Sequence, residues 1–492
     1  MAMNYSRWLV VLGALLVQPC LGALYAWGVF STPLQASRSE LTMTLSAKLL
    51  GVDREEHAKL VAEYTALKVA VAKAKGTARD AAKEELKHFL DDVVPTRLTV
   101  PEEFWEYHHY GYSATAAQSI YATGILVFSL MMTIAGHWQD QIGPRRVAMT
   151  GGLLVAGGYA VAAIAGPSFW YVWFGIGLLG GAGIGVAYVC PVAACVKWFP
   201  DMRGLITGVA VAGFGGGAFL FINLAGKWGK LLTNEGISGT WLAFAVIFAV
   251  SITLGASLLR NPPAGWRPAG WTAPETSATQ TTRYEWTRAE AAGTKTFWML
   301  WIAFFFAGGC GMMVISSLKD FGTREGGLSV AEAEGALGLL ALFNAAGRIT
   351  WGWVSQWLSP RRTLVIVQLL QAAMLLMLIE MGSQVWTLEL AACWVGFHFG
   401  GNMSLFPVLA AEYYGTKNLG ANYGLLITGY GFGGLVVPLW AGRVWDWTQS
   451  YYWAFIPASA GCMTAMVLML LVRRPQPPGE NEPEPGAAAV AA

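Results

Sequence analysis

The sequence predicts an all-α membrane protein: twelve transmembrane helices in two pseudo-symmetric six-helix bundles, with an extracytoplasmic helical insert after helix 1. Three observations carry this. The chain is 55% hydrophobic and 13% charged, with 23 Trp and a mean hydropathy of +0.46, so it holds more apolar surface than a soluble core can hide. Its apolar stretches reach the roughly 20 residues that a helix needs to cross a bilayer. Finally, GHWQDQIGPRR (136–146) recurs as GWVSQWLSPRR (352–362), 216 positions later.

Breaks at Gly, Pro and charge clusters place the spans at 8–30, 113–137, 146–166, 168–198, 203–225, 240–260, 296–321, 333–357, 362–381, 384–411, 419–443 and 450–472. The first follows Arg7, but its apolar run is too long for a signal peptide and shows no cleavage site. Residues 1–35 are therefore read as a retained helix 1. Residues 36–112 carry 11 Lys/Arg and 13 Asp/Glu. Such a segment is solvated, and its run of helix formers with alternating charge predicts one or two amphipathic helices. It is either a plain solvated cap or a module that docks an unknown protein partner or gates substrate.

Residues 113–260 complete the first bundle. Residues 261–294 form a Pro/Thr/Gly-rich linker, 295–472 the second bundle and 473–492 a disordered tail. Lys and Arg fix the orientation: 15 lie at the termini and in loops on one side, against five (Lys227, Lys230, Lys319, Arg324, Arg443) in the opposite short loops and helix ends. Both termini are expected in the cytoplasm, with the chain in the cell's inner membrane. A net charge of +2 offers nothing to nucleic acid.

All six cysteines fall inside apolar stretches without a CxxC pair, which argues against disulfides and zinc. His57, His88, His108 and His109 of the insert lack ligand spacing. No metal or cofactor is expected. Polar residues in the spans offer no nucleophile/base pair, so the chain is not read as an enzyme.

The 216-residue offset persists well beyond the loop. Gly180, Gly185, Pro191, Gly204, Gly208, Gly213, Gly215 and Gly217 reappear as Gly396, Gly401, Pro407, Gly420, Gly424, Gly429, Gly431 and Gly433. Two halves joined by a linker suit carriers whose halves rock about a central site, and small residues let helices approach closely enough to do so. Polar residues present in only one half at membrane depth are then candidates for function. Arg348 faces Met132, Asn344 faces Phe128, His398 faces Ala182, and Tyr430 faces Phe214.

Arg348 is the one basic residue expected mid-span, at a cost of about 2.5–3.5 kcal/mol on insertion scales, and no Asp or Glu shares that depth. It is either satisfied by helix carbonyls and water or faces a cavity that awaits an anion. A guanidinium can grip a carboxylate with two parallel hydrogen bonds. Asn344, one turn earlier, can hold that fork or touch substrate. Tyr188 is a candidate hydroxyl from the other half, while Tyr25 and Trp27 read more as cavity wall. His398 is the preferred proton carrier, its imidazole titrating nearest working pH, with a neutral hydrogen-bonding role as its alternative. Asp320 beside Lys319 is a second proton site or an interfacial ion pair.

The repeated loop resembles the signature G-x-x-x-D-x-x-G-x-R-R of the major facilitator superfamily, matched by Gly136, Asp140, Gly143, Arg145 and Arg146. In the second copy Gln356 and Ser359 replace the aspartate and glycine. The resemblance implies a conformational latch completed only in the first half; a tight turn with positive-inside anchoring explains the arginines equally. KWFPDMRGLITG (197–208), LLRNPPAGWRPAGW (258–271) and FGGNMSLFPVLAAEYYGTKNLGANYG (399–424) resemble the oxalate/formate antiporter family, relatives of the monocarboxylate transporters. That resemblance implies transport of small organic anions by exchange or with a proton, with Arg348 as the carboxylate-binding residue of helix 8. This chain departs from it in three ways. Tyr430 stands where an oxalate carrier has a second cation, Asn344 stands where animal carriers have an aspartate, and the long insert has no counterpart.

The expectation is a carrier of a small monocarboxylate such as lactate, pyruvate, formate or acetate, coupled to a proton or working by exchange. Alternatives are an oxalate/formate-type exchanger, a carrier of larger or uncharged substrates, and a carboxylate sensor on a transporter scaffold. Deleting residues 40–106 separates carrier from sensor, because a carrier keeps its flux.

Overall fold

The computed structural model describes residues 6–74, 77–199, 203–263, 266, 268, 284–415 and 418–477. Among them the long helices are α1 (Trp8–Gln35), α2 (Ala114–Ile142), α3 (Pro144–Ile164), α4 (169–198), α5 (Arg203–Ala225), α6 (Leu231–Ser257), α7 (Lys295–Glu325), α8 (Val330–Leu358), α9 (Pro360–Leu378), α10 (Val385–Tyr414), α11 (Leu419–Thr448) and α12 (Tyr452–Leu471). Serine and threonine hydroxyls start several of them: Ser113 accepts from Ala116 N, Thr294 from Phe297 N and Ser329 from Glu332 N, which satisfies amide donors that a helix start leaves open.

Nine helices among the described residues are long and apolar enough to cross a membrane. α5, α8 and α10 fall outside that set, and the last two carry Asn344, Arg348, His398 and Asn402. Their polarity has a function-bearing look that composition alone penalises. Leu153 on α3, Val246, Val250 and Leu254 on α6, Leu376 on α9 and Leu471 on α12 are all exposed, forming apolar outer faces that suit lipid. Trp8, Trp170, Trp357, Trp386 and Trp447 are exposed near helix ends, as in an interfacial aromatic belt.

The helix pairings repeat. Within α1–α6, α1 packs on α4, α5 and α6, α2 on α4, and α3 on α4 and α6; adding six to each number reproduces α7 on α11 and α12, α8 on α10, and α9 on α10 and α12. Two further pairs, α2 with α11 and α5 with α8, join the two sets, and the same operation exchanges them. The sequence repeat is thus a repeat of packing, and its glycines mark where backbones meet. A Cβ at Gly217 would lie 2.0 Å from Pro19 O, and one at its counterpart Gly433 would lie 2.1 Å from Phe305 O.

Several boundaries depart from the sequence reading. Helix 1 runs on to Gln35 through a 3-10 turn at Ala23–Ala26 and past Pro19 and Pro33. Helix 6 begins at Leu231 rather than 240, because Gly236 kinks it with φ 67° and lets the polar first turn continue the element. The insert forms more than two helices: Arg38–Thr44, Ala47–Leu50, Arg54–Lys73, Thr77–His88, Val94–Arg97 and Glu102–His108. Met43, Leu60, Tyr64, Phe89, Val94 and Leu98 give it a small core of its own. Its histidines part company: His57 bonds Thr42 O, His88 bonds Asp92, and His108 stacks on Phe104. Much of the 261–294 linker, and the tail beyond 477, lie outside the described residues.

The two copies of the repeated loop turn alike. Gly143 (φ 85°, ψ 157°) and Ser359 (φ 68°, ψ 147°) each precede a proline that opens the next helix. That backbone region is nearly closed to residues with a Cβ and costs about 1–3 kcal/mol. Ser359→Gly is therefore expected to stabilise the protein by about 1 kcal/mol and Gly143→Ala to destabilise it by at least as much. Thermal unfolding of purified protein checks this; equal melting temperatures for all three forms would show that the loops relax.

Candidate functional site

Arg348 and Asn344 lie one turn apart on α8, where that helix crosses α5, and both are buried. Two glycines set the level. Gly215 of α5 packs against Ala345, and Gly400 of α10 against the Asn344 carbonyl, so α8 is held between close neighbours and its polar pair has one direction to face. Arg348 Nε donates to Asn344 Oδ1 at 3.0 Å. Arg348 Nη1 and Asn344 Nδ2 are buried and have no hydrogen-bond partner. No described carboxylate forms an ion pair with Arg348. Its guanidinium carbon instead sits 5.7 Å from the centre of the Phe214 ring, within cation–π range.

Aromatic rings complete the surroundings. Tyr25 lies in the 3-10 turn of α1, and its hydroxyl bonds that of Tyr430 on α11, linking the two sets of helices. Tyr25 meets Phe214 edge-on at 5.0 Å and Phe399 at 5.8 Å, Tyr188 meets Phe214 at 5.3 Å, and Phe399 stacks on Tyr430 at 6.3 Å. The Arg348 charge also reaches Tyr25, Tyr423 and Tyr430. A positive group is thus held by ring faces and one amide oxygen. Two donors, on Arg348 and Asn344, stay open for a ligand that brings its own negative charge.

Five of the residues singled out from the sequence, Arg348, Asn344, Tyr430, Tyr25 and Tyr188, therefore come together. His398 does not join them. Its Nδ1 bonds the Trp394 carbonyl at 2.7 Å, and its ring lies among Trp394, Trp351 and Phe397. The next residue, Phe399, is the one that faces Tyr430. Phe214, Phe399 and Tyr423 were missed. Tyr423 faces Thr207, itself polar, so the comparison of halves passes over it; the two phenylalanines carry no polar signal.

Asp320 and Lys319 are both buried at the insert-side end of α7 but do not pair. Lys319 Nζ bonds Glu334 Oε1 at 2.7 Å and Val29 O at 2.8 Å. Asp320 accepts from Ser31, from Thr32 at 2.6 Å and from Gln35 at 3.0 Å, all on α1. Nearby, the Asp446 carboxylate of α11 accepts from Ala114 N at 3.0 Å and Thr115 N at 3.1 Å, capping α2 from the other set of helices. These bonds tie the insert-side ends of the two sets of helices together. Of the loop motif, Gly136 lies within α2, Gly143 ends it, and Arg145 and Arg146 are exposed in the first turn of α3. The side chains of Asp140 and Gln356 lie outside the described residues. No group of His, Cys, Asp and Glu among the described residues is placed to hold a metal ion.

Known proteins agree with this architecture. The chain is 28% identical over 326 residues to the uncharacterized MFS-type transporter YhjX of Escherichia coli (strain K12), covering 65% of this chain and 78% of that one. It is 27% identical to the oxalate:formate antiporter of Oxalobacter formigenes over 64% of this chain and 72% of that one. With apicoplast pyruvate carrier 1 of Toxoplasma gondii it shares 24% identity over 85% and 81%. The fold matches a crystal structure of the human organic anion transporter MFSD10 (TETRAN) with a TM-score of 0.54 and 16% identity, over 94% of this chain and 99% of that one. A profile of the Major Facilitator Superfamily matches residues 99–438 and 323–492. With that profile running through both sets of helices and the repeated loop between α2 and α3, the chain belongs to the Major Facilitator Superfamily.

Proposed function

We propose that the protein is a secondary active transporter of small monocarboxylate anions. Its twelve spans form two six-helix halves, 1–260 with the insert and 295–472, that alternate access about Arg348. Both termini lie in the cytoplasm of a cell whose inner membrane holds the chain, and the 36–112 insert lies outside. The observation that carries the reading is the buried Arg348 with its open Nη1 and no ion pair to a described carboxylate. A group so expensive to desolvate is balanced when an incoming carboxylate accepts its fork. One cation suits one carboxylate, and Tyr430, bonded to Tyr25, offers hydroxyl chemistry where a dicarboxylate would need a second charge. Relatives named for oxalate, formate and pyruvate support the substrate class.

The outer bonds of Asp320, Lys319 and Asp446 favour a state closed on the insert side. For proton coupling, Asp320 is better placed than His398, because its partners lie on α1 and must part from it whenever that side opens. The test is uptake of labelled pyruvate, lactate, formate and oxalate into proteoliposomes at two pH values, with and without internal counter-anion. Saturable uptake of monocarboxylates, with oxalate excluded, is the expected outcome. Uptake of oxalate only against internal formate would favour the exchanger, and no carboxylate flux under any condition would end the carrier reading.

A further inference from the structure

A cavity of about 650 Å³ lies between the insert and the outer ends of the bundle, within the size range of small-molecule sites. Its roof is the insert, with Leu41, Tyr64 and Lys68 facing inward, and its floor is formed by the ends of α1, α5 and α7 and the starts of α6 and α8. The roof is fastened at separate points. Ser46 N donates to Thr233 O at 2.8 Å, Tyr112 N to Leu34 O at 2.9 Å, Tyr110 bonds Ser238 at 2.8 Å, and Arg79 donates to Glu325 O.

The charges lining this space are unevenly matched. Its three carboxylates are engaged: Glu40 and Glu332 each accept from the backbone of their own helix start, and Glu334 holds Lys319. Lys68, Lys227, Lys230 and Arg324 line the same space without an ion pair to any described residue. Lys68 Nζ rests 5.4 Å from the Tyr64 ring centre and Arg324 5.5 Å from that of Trp445. Burial, with Arg324 and Lys319 nearby, holds the Lys68 ammonium below the usual lysine range against the opposing pull of Glu40. Lys227 and Lys230 are exposed at the rim of this cavity, while Lys68 and Arg324 are half-buried in its wall, and an anion placed between the latter two relieves their mutual repulsion.

We propose that this cavity is an outer binding site for small organic anions, in which Lys68 of the insert and Arg324 of α7 hold a carboxylate above the closed Lys319–Glu334 pair. The identity of the ligand as a carboxylate rests on the carrier reading; the site itself rests on the cavity and its charges. The insert then acts as a receptor that collects substrate outside the membrane before the outer ends part.

The test is the rate of amine-selective acylation at Lys68 in the full-length protein in proteoliposomes, read by peptide mass spectrometry with pyruvate as the probe. Pyruvate at twice its dissociation constant is expected to slow modification about threefold, the neutral methyl ester to have no effect, and Arg324→Gln to remove the protection. Arg348→Ala is expected to retain it, because the central site is separate. The inference is overturned by unprotected Lys68 in the unaltered protein, by equal protection from the ester or in Arg324→Gln, or by protection that disappears in Arg348→Ala. Protection in liposomes that show no carboxylate flux would uphold this site while removing the carrier reading.

Discussion

Arg348→Ala is expected to abolish carboxylate uptake while leaving the protein folded. Truncating one member of a buried, hydrogen-bonded charge pair costs about 2–5 kcal/mol, which corresponds to a loss of affinity of roughly 30-fold to several thousand-fold. Arg348→Lys keeps the charge but gives up the planar fork and its stacking on Phe214, so it should recover only part of the flux. Asn344→Ala should cost less, because it frees the guanidinium from its amide acceptor without removing the charge. Stability should move the other way. The guanidinium is buried with an open donor, so Arg348→Met removes a desolvation cost and is expected to raise the melting temperature as it eliminates transport. Initial uptake rates and thermal unfolding of the same preparations check both signs. Undiminished uptake by Arg348→Ala would show that the carboxylate binds elsewhere.

How much of this was legible in the sequence depends on what kind of contact is asked about. The repeat displays the paired packing directly where a glycine at matched positions marks a close backbone approach in each half, as at Gly217 and Gly433. Comparing halves then isolates Arg348, Asn344 and Tyr430, whose polarity contrasts with an apolar counterpart. That comparison is blind to Phe214 and Phe399, which act through ring faces and differ in no visible way from packing residues. Adjacency misleads in a different manner. Lys319 and Asp320 look like a pair, but neighbours on a helix point about 100° apart, so the lysine meets Glu334 on α8 and the aspartate meets α1. The same rotation separates His398 from Phe399. A residue chosen by type alone, His398, lies on a different face of α10 from the Phe399 ring that meets Tyr430, and the cavity under the insert depends on contacts between segments far apart in the chain.

Glu334→Gln is expected to loosen the outer closure and destabilise this state of the protein. Lys319 and Glu334 are both almost fully buried and 2.7 Å apart. Neutralising the acid leaves a buried ammonium with neutral acceptors alone, the Val29 carbonyl and the glutamine amide oxygen, and breaking one side of a buried pair costs about 3–5 kcal/mol. The protein can escape that cost in two ways, by unfolding more readily or by opening its outer end so that water reaches Lys319. Both are measurable. The melting temperature should fall, and a cysteine at position 31, beside Asp320 in the closed form, should react faster with a membrane-impermeant thiol reagent. The double variant Lys319→Met with Glu334→Leu removes both charges and should recover the melting temperature, since well-packed apolar residues often replace a buried pair at little cost. It should not recover transport if the pair must break and re-form in every cycle, because a permanently apolar seal gives no water-exposed state to return from. Unchanged unfolding and unchanged labelling in Glu334→Gln would mean that the pair is not a lock, leaving Asp446 on the first turn of α2 and Asp320 on α1 to hold the insert side closed.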